Sequence, residues 1–212
     1  MGKYVVVDLE MCMVKSRKPI CQEVIQIGAV LLDESFDVID RFSTYVKPEF
    51  GWLDATIVNL TGIRGTQLKG APDFKSGLDK FLSWLPDEAL TFVEWSTSDE
   101  AQLRKECLVK GIEDDRLKRL LSDTSDCQKL FSRKIDRKKN YRLSEALTMA
   151  DISFEGHEHD GLDDAYNTAL LFAKLNREEE LVLNPLYEEA RSEECDTLSY
   201  SLAYLFKDIH IA

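Results

Sequence analysis

The sequence predicts an α/β domain in which helices flank a mixed central β-sheet. Short β-branched apolar runs, typical of buried strands, alternate with segments whose apolar residues recur at helical spacing. A turn-like stretch between the second and third apolar runs indicates a hairpin, so both antiparallel and parallel neighbours are expected. The 212 residues are enough for one well-packed domain.

Three strands are predicted at the start of the chain. The apolar run YVVVDLE at 4–10 fits a strand that is buried on both faces. A second strand is predicted at 23–33 and a third at 37–48. The sequence DESFD between these two favours a hairpin, which would make them antiparallel neighbours.

A helix and another strand are predicted to follow. The helix lies within 71–86, where a proline stands near the start and apolar residues recur at helical spacing. Residues 89–95 are predicted to form a buried strand, because their sequence ALTFVEW is mostly apolar. The apolar positions of the helix are Phe74, Leu78, Phe81 and Leu85.

Three further helices complete the predicted domain. The first lies within 96–111, where Thr97 and Glu100 have the spacing of a capping box and Gly111 marks the end. The other two helices are predicted at 142–152 and 161–175.

The regular pattern changes in the acidic stretch NREEEL at 176–181. We therefore expect one domain at 1–178 and a C-terminal helical extension at 179–212 that packs on the same domain. The extension contains amphipathic segments, and no residue pattern in it indicates a chemical role.

Composition narrows the class of protein. The net charge of −12 argues against a general nucleic-acid coat protein, which relies on many phosphate contacts, but not against an enzyme that grips only a strand end. No apolar run is long enough to span a membrane, and the N-terminus lacks a signal-peptide pattern. Five scattered cysteines without a C-x-x-C pair predict reduced thiols in a cytoplasmic protein.

Two acids, Asp8 and Glu10, stand at the end of the first predicted strand. Because strand side chains alternate between faces, both carboxylates project from the same side. Neighbouring carboxylates repel unless a cation lies between them, so the pair is a candidate metal site, although two solvated acids would give the same pattern. Asp99 follows the 89–95 strand at a helix start, where the helix dipole alone explains an acid.

The stretch HEHDGLDDAYNTA at 157–169 places histidines and aspartates before and at the start of a helix. Asp163 and Asp164 lie about 100° apart on that helix, so one of them can face a site. His159 fits either such a site or a surface loop. His157 and His159 have a spacing that could bind a metal, but no further His or Cys nearby completes a zinc site.

These motifs together resemble one known family. The order Asp, Glu, Asp, His, Asp in VVVDLE, EWSTSD and HDGLDDA is similar to that of the DEDDh 3′→5′ exonucleases, which have a ribonuclease-H-like fold. The segments FSTYVKP and NLTGIRGTQLKG resemble other parts of that family, and the resemblance covers about residues 4 to 175. Within it, the chain resembles the branch of histone-mRNA 3′-end exonucleases and KapD-type proteins.

The resemblance implies a hydrolase that uses two divalent cations, Mg²⁺ or Mn²⁺. Asp8, Glu10, Asp99 and Asp164 would hold the two cations, and His159 would be the general base for the attacking water. The implied reaction releases nucleoside 5′-monophosphates from the 3′ end of single-stranded nucleic acid. The branch favours RNA over DNA, and no membrane or protein partner is implied.

The resemblance also implies substrate contacts. Met11, Gly62 and Ile63 occupy positions at which relatives contact the terminal nucleotide. Trp95 is a candidate for stacking on a base, although a tryptophan that ends a central strand also fits the core. Relatives often carry a neutral residue at the position of Glu94, whose carboxylate is expected either to crowd the metal ions or to point into solvent.

The most basic stretch, KLFSRKIDRKKNYR at 129–142, contains seven Lys or Arg residues. It is a candidate path for the phosphates of a bound strand, and an ordinary solvated surface is the competing interpretation. A different class of function is a KapD-like regulatory binding protein in a signalling pathway, with weak or no nuclease activity. The enzyme is favoured because the sequence contains the complete set of Asp8, Glu10, Asp99, His159 and Asp164.

Overall fold

A mixed six-stranded sheet forms the centre of the molecule. The structure, a computed structural model, describes residues 2–14 and 20–185. The strands are β1 (Lys3–Val14), β2 (Gln22–Leu32), β3 (Val38–Tyr45), β4 (Gly51–Trp52), β5 (Leu90–Glu94) and β6 (Thr124–Asp126). Their order is β3-β2-β1-β5-β6, and β4 pairs with the end of β1.

Antiparallel and parallel pairs meet at the central strand. β1 is antiparallel to β2 and β4, and β2 is antiparallel to β3. β1 is parallel to β5, and β5 is parallel to β6. The predicted mixed sheet is therefore confirmed. Because β1 and β5 run in the same direction, the chain leaves β5 at the edge toward which β1 also points.

Helices cover both faces of the sheet. Within the described residues they are α1 (Ala55–Thr61), α2 (Gly65–Lys69), α3 (Phe74–Trp84), α4 (Ser98–Lys110), α5 (Asp115–Leu120), α6 (Cys127–Lys134), α7 (Leu143–Met149) and α8 (Gly161–Arg177). Val5 and Val7 of β1 join the core formed with α3, α4 and α5, whereas Val6 joins the core formed with α6, α7 and α8. The first strand is thus buried on both faces, as its apolar run predicts.

The start of α4 differs from the predicted capping box. Thr97 occupies the N-cap position, but its side chain makes no capping hydrogen bond. Glu94, at the end of β5, instead accepts hydrogen bonds from the backbone N–H groups of Asp99 and Glu100, both at 3.0 Å. The Glu100 side chain pairs with Arg104. The predicted box is wrong because a carboxylate from the preceding strand satisfies the same donors.

The chain beyond α8 is described for only a few residues. Leu181 and Leu183 pack against the core that contains α8, and the N–H of Asn184 donates to the carbonyl oxygen of Met149 at 2.8 Å. Most of the predicted C-terminal extension, residues 186–212, lies outside the described residues. In the part of the chain that the structure describes, every helix is too short or too polar to cross a membrane.

Candidate active site

The two acids of β1 lie on the face of the sheet that packs against α8. Val6 belongs to the core on this face, and Asp8 and Glu10 continue its two-residue period along the strand. The chain that leaves β5 enters α4 at the same edge and carries Asp99. The two elements meet there, since Asp8 and Asp99 line the same cleft.

Asp99 is held by a buried neighbour. Asp99 is 4% exposed and Glu94 is 1% exposed. The Glu94 carboxylate accepts the backbone N–H of Asp99, so it fixes the first turn of α4. Burial raises the pKa of the Glu94 carboxyl group to about 7, although the two backbone hydrogen bonds that it accepts lower this pKa. The expectation that Glu94 points into solvent is therefore wrong, because its carboxylate caps a helix inside the protein.

The loop before α8 folds back on the first turn of that helix. His159 has a left-handed backbone conformation, with φ of 66°, and its N–H donates to Oδ2 of Asp164 at 2.9 Å. The N–H of His157 donates to Oδ2 of Asp163 at 2.8 Å. Asp160 caps the helix through its side chain. The backbone of His159 is thereby fixed beside the carboxylate of Asp164.

The start of α8 approaches the sheet without an intervening side chain. A Cβ atom placed on Gly28 of β2 would lie 2.1 Å from the carbonyl carbon of Gly161. Gln26 links the same elements: its amide nitrogen donates to Oδ2 of Asp160, and its Oε1 accepts the N–H of Gly161, both at 3.2 Å. Gln26 is also the cross-strand partner of Glu10. This junction sets the distance between the acids of β1 and those of α8.

Gly28→Ala is expected to push the start of α8 away from the sheet, because the added methyl group would overlap backbone atoms of α8. Overpacking of this kind lowers the free energy of unfolding by about 1–3 kcal/mol, and a shift of the site by about 1 Å lowers catalytic rate by about 10²-fold. Denaturant unfolding and a nuclease assay measure the two effects. Gly65→Ala is the control, since nothing lies within 4 Å of its Cβ position. Two variants with the same behaviour would contradict the prediction.

The four acids have raised pKa values. Burial is the largest cause for each, and it raises the pKa of Glu10 and Asp99 to about 8 and that of Asp164 to about 6. The pKa of Asp8 lies well above its usual range because of burial and of the neighbouring carboxylates. Among residues 2–14 and 20–185, no lysine or arginine forms an ion pair with any of the four. Such a cluster favours bound protons or cations.

Ligand atoms of Glu10, His159 and Asp164 lie within 4.8 Å of one another, which is close enough to hold a metal ion. Among the described residues, it is the one group of three or more potential metal ligands whose ligand atoms all lie this close together. Oxygen-rich ligand sets suit Mg²⁺ or Mn²⁺. The buried acids therefore fit divalent cations, and His157 lies outside the group.

A cleft of about 690 Å³ opens in front of the acids. Residues from β1 and α1 line it, including Met11 and Leu60, and so does the segment 141–144 before and within α7. All five predicted catalytic and metal-binding residues line this one cleft: Asp8, Glu10, Asp99, His159 and Asp164.

The residues expected to contact the substrate do not all reach the cleft. Met11 and Trp95 line it, and Trp95 also packs near Phe131, with 6.4 Å between the ring centroids. Ile63 is 1% exposed in a small apolar core, and the cleft residue from this part of the chain is Leu60. Gly62 ends α1 and is likewise absent from the cleft lining.

The basic run at 129–142 divides into structural and cleft residues. Lys134 donates to the carbonyl oxygens of Glu178 and Glu179, so it ties α6 to the end of α8. Arg142 is exposed and lines the cleft. Its backbone is fixed, because Tyr141 is 3% exposed and its carbonyl oxygen accepts a hydrogen bond from a side chain of α6.

The chain matches a known protein family over most of its length. The matching family is described as Exonuclease, and the match covers residues 5–172. The chain belongs to the exonuclease family. The match extends from β1 into α8 and includes all the acids of the cleft and His159. The resemblance to the DEDDh exonucleases, drawn from the sequence motifs, is therefore confirmed.

Several curated proteins are similar to this exonuclease-family chain. ERI1 exoribonuclease 2 of Homo sapiens is 32% identical over 199 residues, which covers 82% of this chain and 28% of that protein. DNA polymerase III PolC-type of Bacillus subtilis (strain 168) is 28% identical over 172 residues, which covers 81% of this chain and 11% of that protein. The chain spans 28% to 34% of the length of the ERI1 exoribonuclease 2 proteins that it matches.

Solved structures of the family share the fold. The nuclease domain of 3′hExo, a DEDDh family member bound to rAMP, superimposes with a TM-score of 0.75 at 21% identity, over 86% of this chain and 96% of that one. Cell-death related nuclease 4 gives a TM-score of 0.74 at 21% identity, over 87% of this chain and 67% of that one. The ribonuclease-H-like exonuclease fold implied by the sequence motifs is confirmed.

Proposed function

We propose that this protein is a metal-dependent 3′→5′ exonuclease that releases nucleoside 5′-monophosphates from single-stranded nucleic acid. The observation that carries the proposal is the convergence of four carboxylates and one imidazole on a single cleft. Burying acids costs free energy, and no basic side chain among the described residues pairs with these four. A site of this kind favours divalent cations as partners.

The acids have separate roles in the proposal. Asp8, Glu10 and Asp164 would hold one divalent cation, and Asp8 and Asp99 would help to hold a second. When bound, the cations neutralise charge on the scissile phosphate and make water a stronger nucleophile. The rigid setting of Asp99 by Glu94 and of Asp164 by the His159 backbone supports this assignment, since metal ligands must keep their geometry.

His159 is proposed as the general base. Its side chain is exposed at the cleft, and its backbone is fixed to Asp164. In the reaction, the imidazole accepts a proton from the water that attacks the phosphorus, and the bond from phosphorus to the 3′ oxygen of the remaining strand breaks. The terminal nucleotide leaves with its phosphate on the 5′ oxygen. An imidazole suits this role because it exchanges protons near neutral pH.

Single-stranded RNA is the proposed substrate class. Met11, Leu60 and Trp95 present apolar surface in the cleft, which suits the faces of an unpaired base. Arg142 lines the same cleft and suits a phosphate of the bound strand. The preference for RNA is supported by the relatives named exoribonucleases. Among the described residues, the cysteines at 12, 21, 107 and 127 are free thiols, which supports the cytoplasmic location expected from the sequence.

The test is degradation of RNA and DNA of the same sequence, labelled at the 5′ end, with Mg²⁺, Mn²⁺ or EDTA. We expect ladders that shorten from the 3′ end with either metal, faster for RNA, and none with EDTA. A 3′-blocked strand, which an exonuclease of this direction cannot enter, should resist. No cleavage under any condition would reject the proposal and favour the regulatory binding protein.

Without divalent ions, the free energy of unfolding is expected to fall as the pH rises from about 5 to about 8. Burial raises the pKa of Glu10 and Asp99 to about 8 in the folded protein, whereas unfolded carboxyl groups titrate near pH 4. The folded state therefore binds more protons across this interval, and each further rise in pH destabilises it. Mn²⁺ replaces these protons, so it should stabilise the protein strongly at pH 8 and weakly at pH 5.

Thermal unfolding at the two pH values, with EDTA or Mn²⁺, measures this effect. An ion at about 100 times its Kd adds about 2.7 kcal/mol, which raises the Tm of a protein of this size by about 5–10 °C. Asp164→Asn should reduce the shift at pH 8. Asp79→Asn, which removes an exposed carboxylate paired with Lys75 on α3, should not. Equal Mn²⁺ shifts at both pH values would contradict the assignment of the buried acids.

A further inference from the structure

Ser96 combines a strained backbone with a place in the cleft. Its φ is 98°, well outside the left-handed helical region near about 57° in which the other described non-glycine residues with positive φ lie. Two of these residues line the cleft, Ser96 and the proposed base His159. A β-carbon makes such a conformation costly, and strain of this kind clusters at functional sites.

The turn at Ser96 explains the backbone conformation but not the side chain. This turn joins the end of β5 to α4 and lets the Glu94 carboxylate reach backbone N–H groups of the helix. Glycine adopts a positive φ without the steric cost that a β-carbon brings. Glycine would therefore form the same turn at a lower cost in free energy, and the serine hydroxyl needs a separate reason.

The hydroxyl of Ser96 belongs to a pair. Its Oγ lies 3.1 Å from the Oγ of Ser98, and either atom can be the donor. Both residues line the cleft, and neither hydroxyl has another hydrogen-bond partner among residues 2–14 and 20–185. Each serine hydroxyl has one donor and two acceptor sites, so the pair retains a free donor and free acceptor sites.

The free hydrogen-bonding groups of the pair match another hydroxyl better than a phosphate. A phosphate oxygen only accepts hydrogen bonds, so it would use the free donor and leave the acceptor sites unused. The nearby backbone N–H groups of Asp99 and Glu100 add no donor, because the Glu94 carboxylate already accepts both. A ribose 2′-hydroxyl both donates and accepts, and it is the group that distinguishes RNA from DNA.

We propose that Ser96 and Ser98 bind the 2′-hydroxyl of a ribose next to the scissile phosphate and thereby select RNA over DNA. The inference rests on the proposed exonuclease function and names the residues that set its substrate class. Ser98 directly precedes Asp99, which the proposed mechanism places at the cations that bind this phosphate. The two riboses that flank the phosphate are therefore the nearest sugars of the bound strand. DNA leaves the hydroxyl pair without its partner.

Ser96→Gly removes the hydroxyl and favours the same turn. With Mn²⁺, its kcat/KM for single-stranded RNA should fall about three- to tenfold, the usual net contribution of one hydrogen bond, and that for DNA of the same sequence should not change. Its Tm should rise by about 2–4 °C because the backbone strain is released. Ser98→Ala should lower the RNA rate without raising the Tm, since the φ of Ser98 is not positive. Thr97→Ala is the matched control, because Thr97 belongs to the same turn but does not line the cleft.

Single 2′-deoxy substitutions in the RNA identify the sugar that the pair contacts. One strand carries the substitution at the last nucleotide and another carries it at the penultimate nucleotide. The wild type should be slowed by one of the two substitutions, and Ser96→Gly should not respond to that substitution. Such non-additivity between a protein change and a substrate change indicates direct contact. A wild type that is slowed by neither substitution would overturn the proposal.

Other outcomes separate the hydroxyl pair from the function on which it rests. An unchanged ratio of RNA to DNA rates in Ser96→Gly would overturn the role of the pair and leave the exonuclease intact. A lower Tm would also overturn it, since the hydroxyl would then serve to stabilise the turn. Wild-type protein that hydrolyses neither RNA nor DNA would overturn the function. Fluorescence anisotropy of labelled RNA and DNA in EDTA would then decide the role of the pair: weaker binding of RNA alone by Ser96→Gly supports it, and any other result overturns it.

Discussion

Asp8→Asn is expected to abolish hydrolysis while leaving the metal-free protein at least as stable as the wild type. Asparagine keeps the shape of the side chain and removes its charge. The pKa of Asp8 is raised by burial and then by Asp99, Asp164 and Glu10, so this carboxylate lies within the electrostatic reach of all the others. Cations that it helps to hold supply several kcal/mol of transition-state stabilisation, which corresponds to a rate loss of about 10³-fold or more.

Single-turnover hydrolysis of labelled RNA and thermal unfolding in EDTA measure the two parts of this prediction. Removal of one charge from a cluster of repelling acids should raise the Tm in EDTA or leave it unchanged. Asp79→Asn again serves as the control for replacing an aspartate. Wild-type hydrolysis by Asp8→Asn would refute the metal-binding role. A large fall in Tm in EDTA would show instead that the Asp8 carboxylate stabilises the fold.

His159→Ala is expected to lower kcat by about 10²–10⁴-fold, the usual contribution of a general base, with Mn²⁺ affinity close to that of the wild type. The imidazole lies near the carboxylates of Glu10 and Asp164, so geometry alone also permits a role as a metal ligand. The two roles differ in their effect on metal binding, because loss of a ligand weakens affinity and loss of a base does not.

Calorimetric titration of Mn²⁺ into His159→Ala and Asp164→Ala distinguishes these roles. We expect weakened binding only in Asp164→Ala. His157→Ala is the matched control, since His157 is an exposed histidine of the same loop whose backbone contacts Asp163. If His159→Ala binds Mn²⁺ as poorly as Asp164→Ala, His159 is a ligand and the base must be sought elsewhere. If His157→Ala loses as much activity as His159→Ala, the loop conformation matters more than the imidazole.

Much of the fold was predictable because its central elements have strong local patterns. The burial of β1 follows from its β-branched run, and α8 follows from its apolar period. β4 and β6 have two and three residues, so neither can show an alternating pattern. β6 consists of polar residues and exists because β5 offers it a parallel edge, which no local pattern encodes.

The acids of the site were predictable, and the groups that fix them were not. Asp8 and Glu10 lie two apart on one strand, a spacing that determines their common face. The role of Glu94 depends on a turn that brings its carboxylate to the N–H groups of α4. The contact between Gly28 and Gly161 joins two elements that are distant in sequence. Such dependence on tertiary structure also explains why Leu60, and not Ile63, reaches the cleft.

The docking of α8 on the sheet has a consequence for the protein while it is being synthesised. Asp8 and Glu10 are in the first strand, whereas Asp164 is in α8, so most of the sequence of the domain lies between them. The ribosome must translate the chain through Arg177 before the whole of α8 can pack on the sheet. Proteins emerge from the ribosome N-terminal end first. In the proposed mechanism, the nascent chain therefore lacks both its last acid and its base, and it is harmless to the messenger RNA that encodes it. Activity begins only when α8 closes the site.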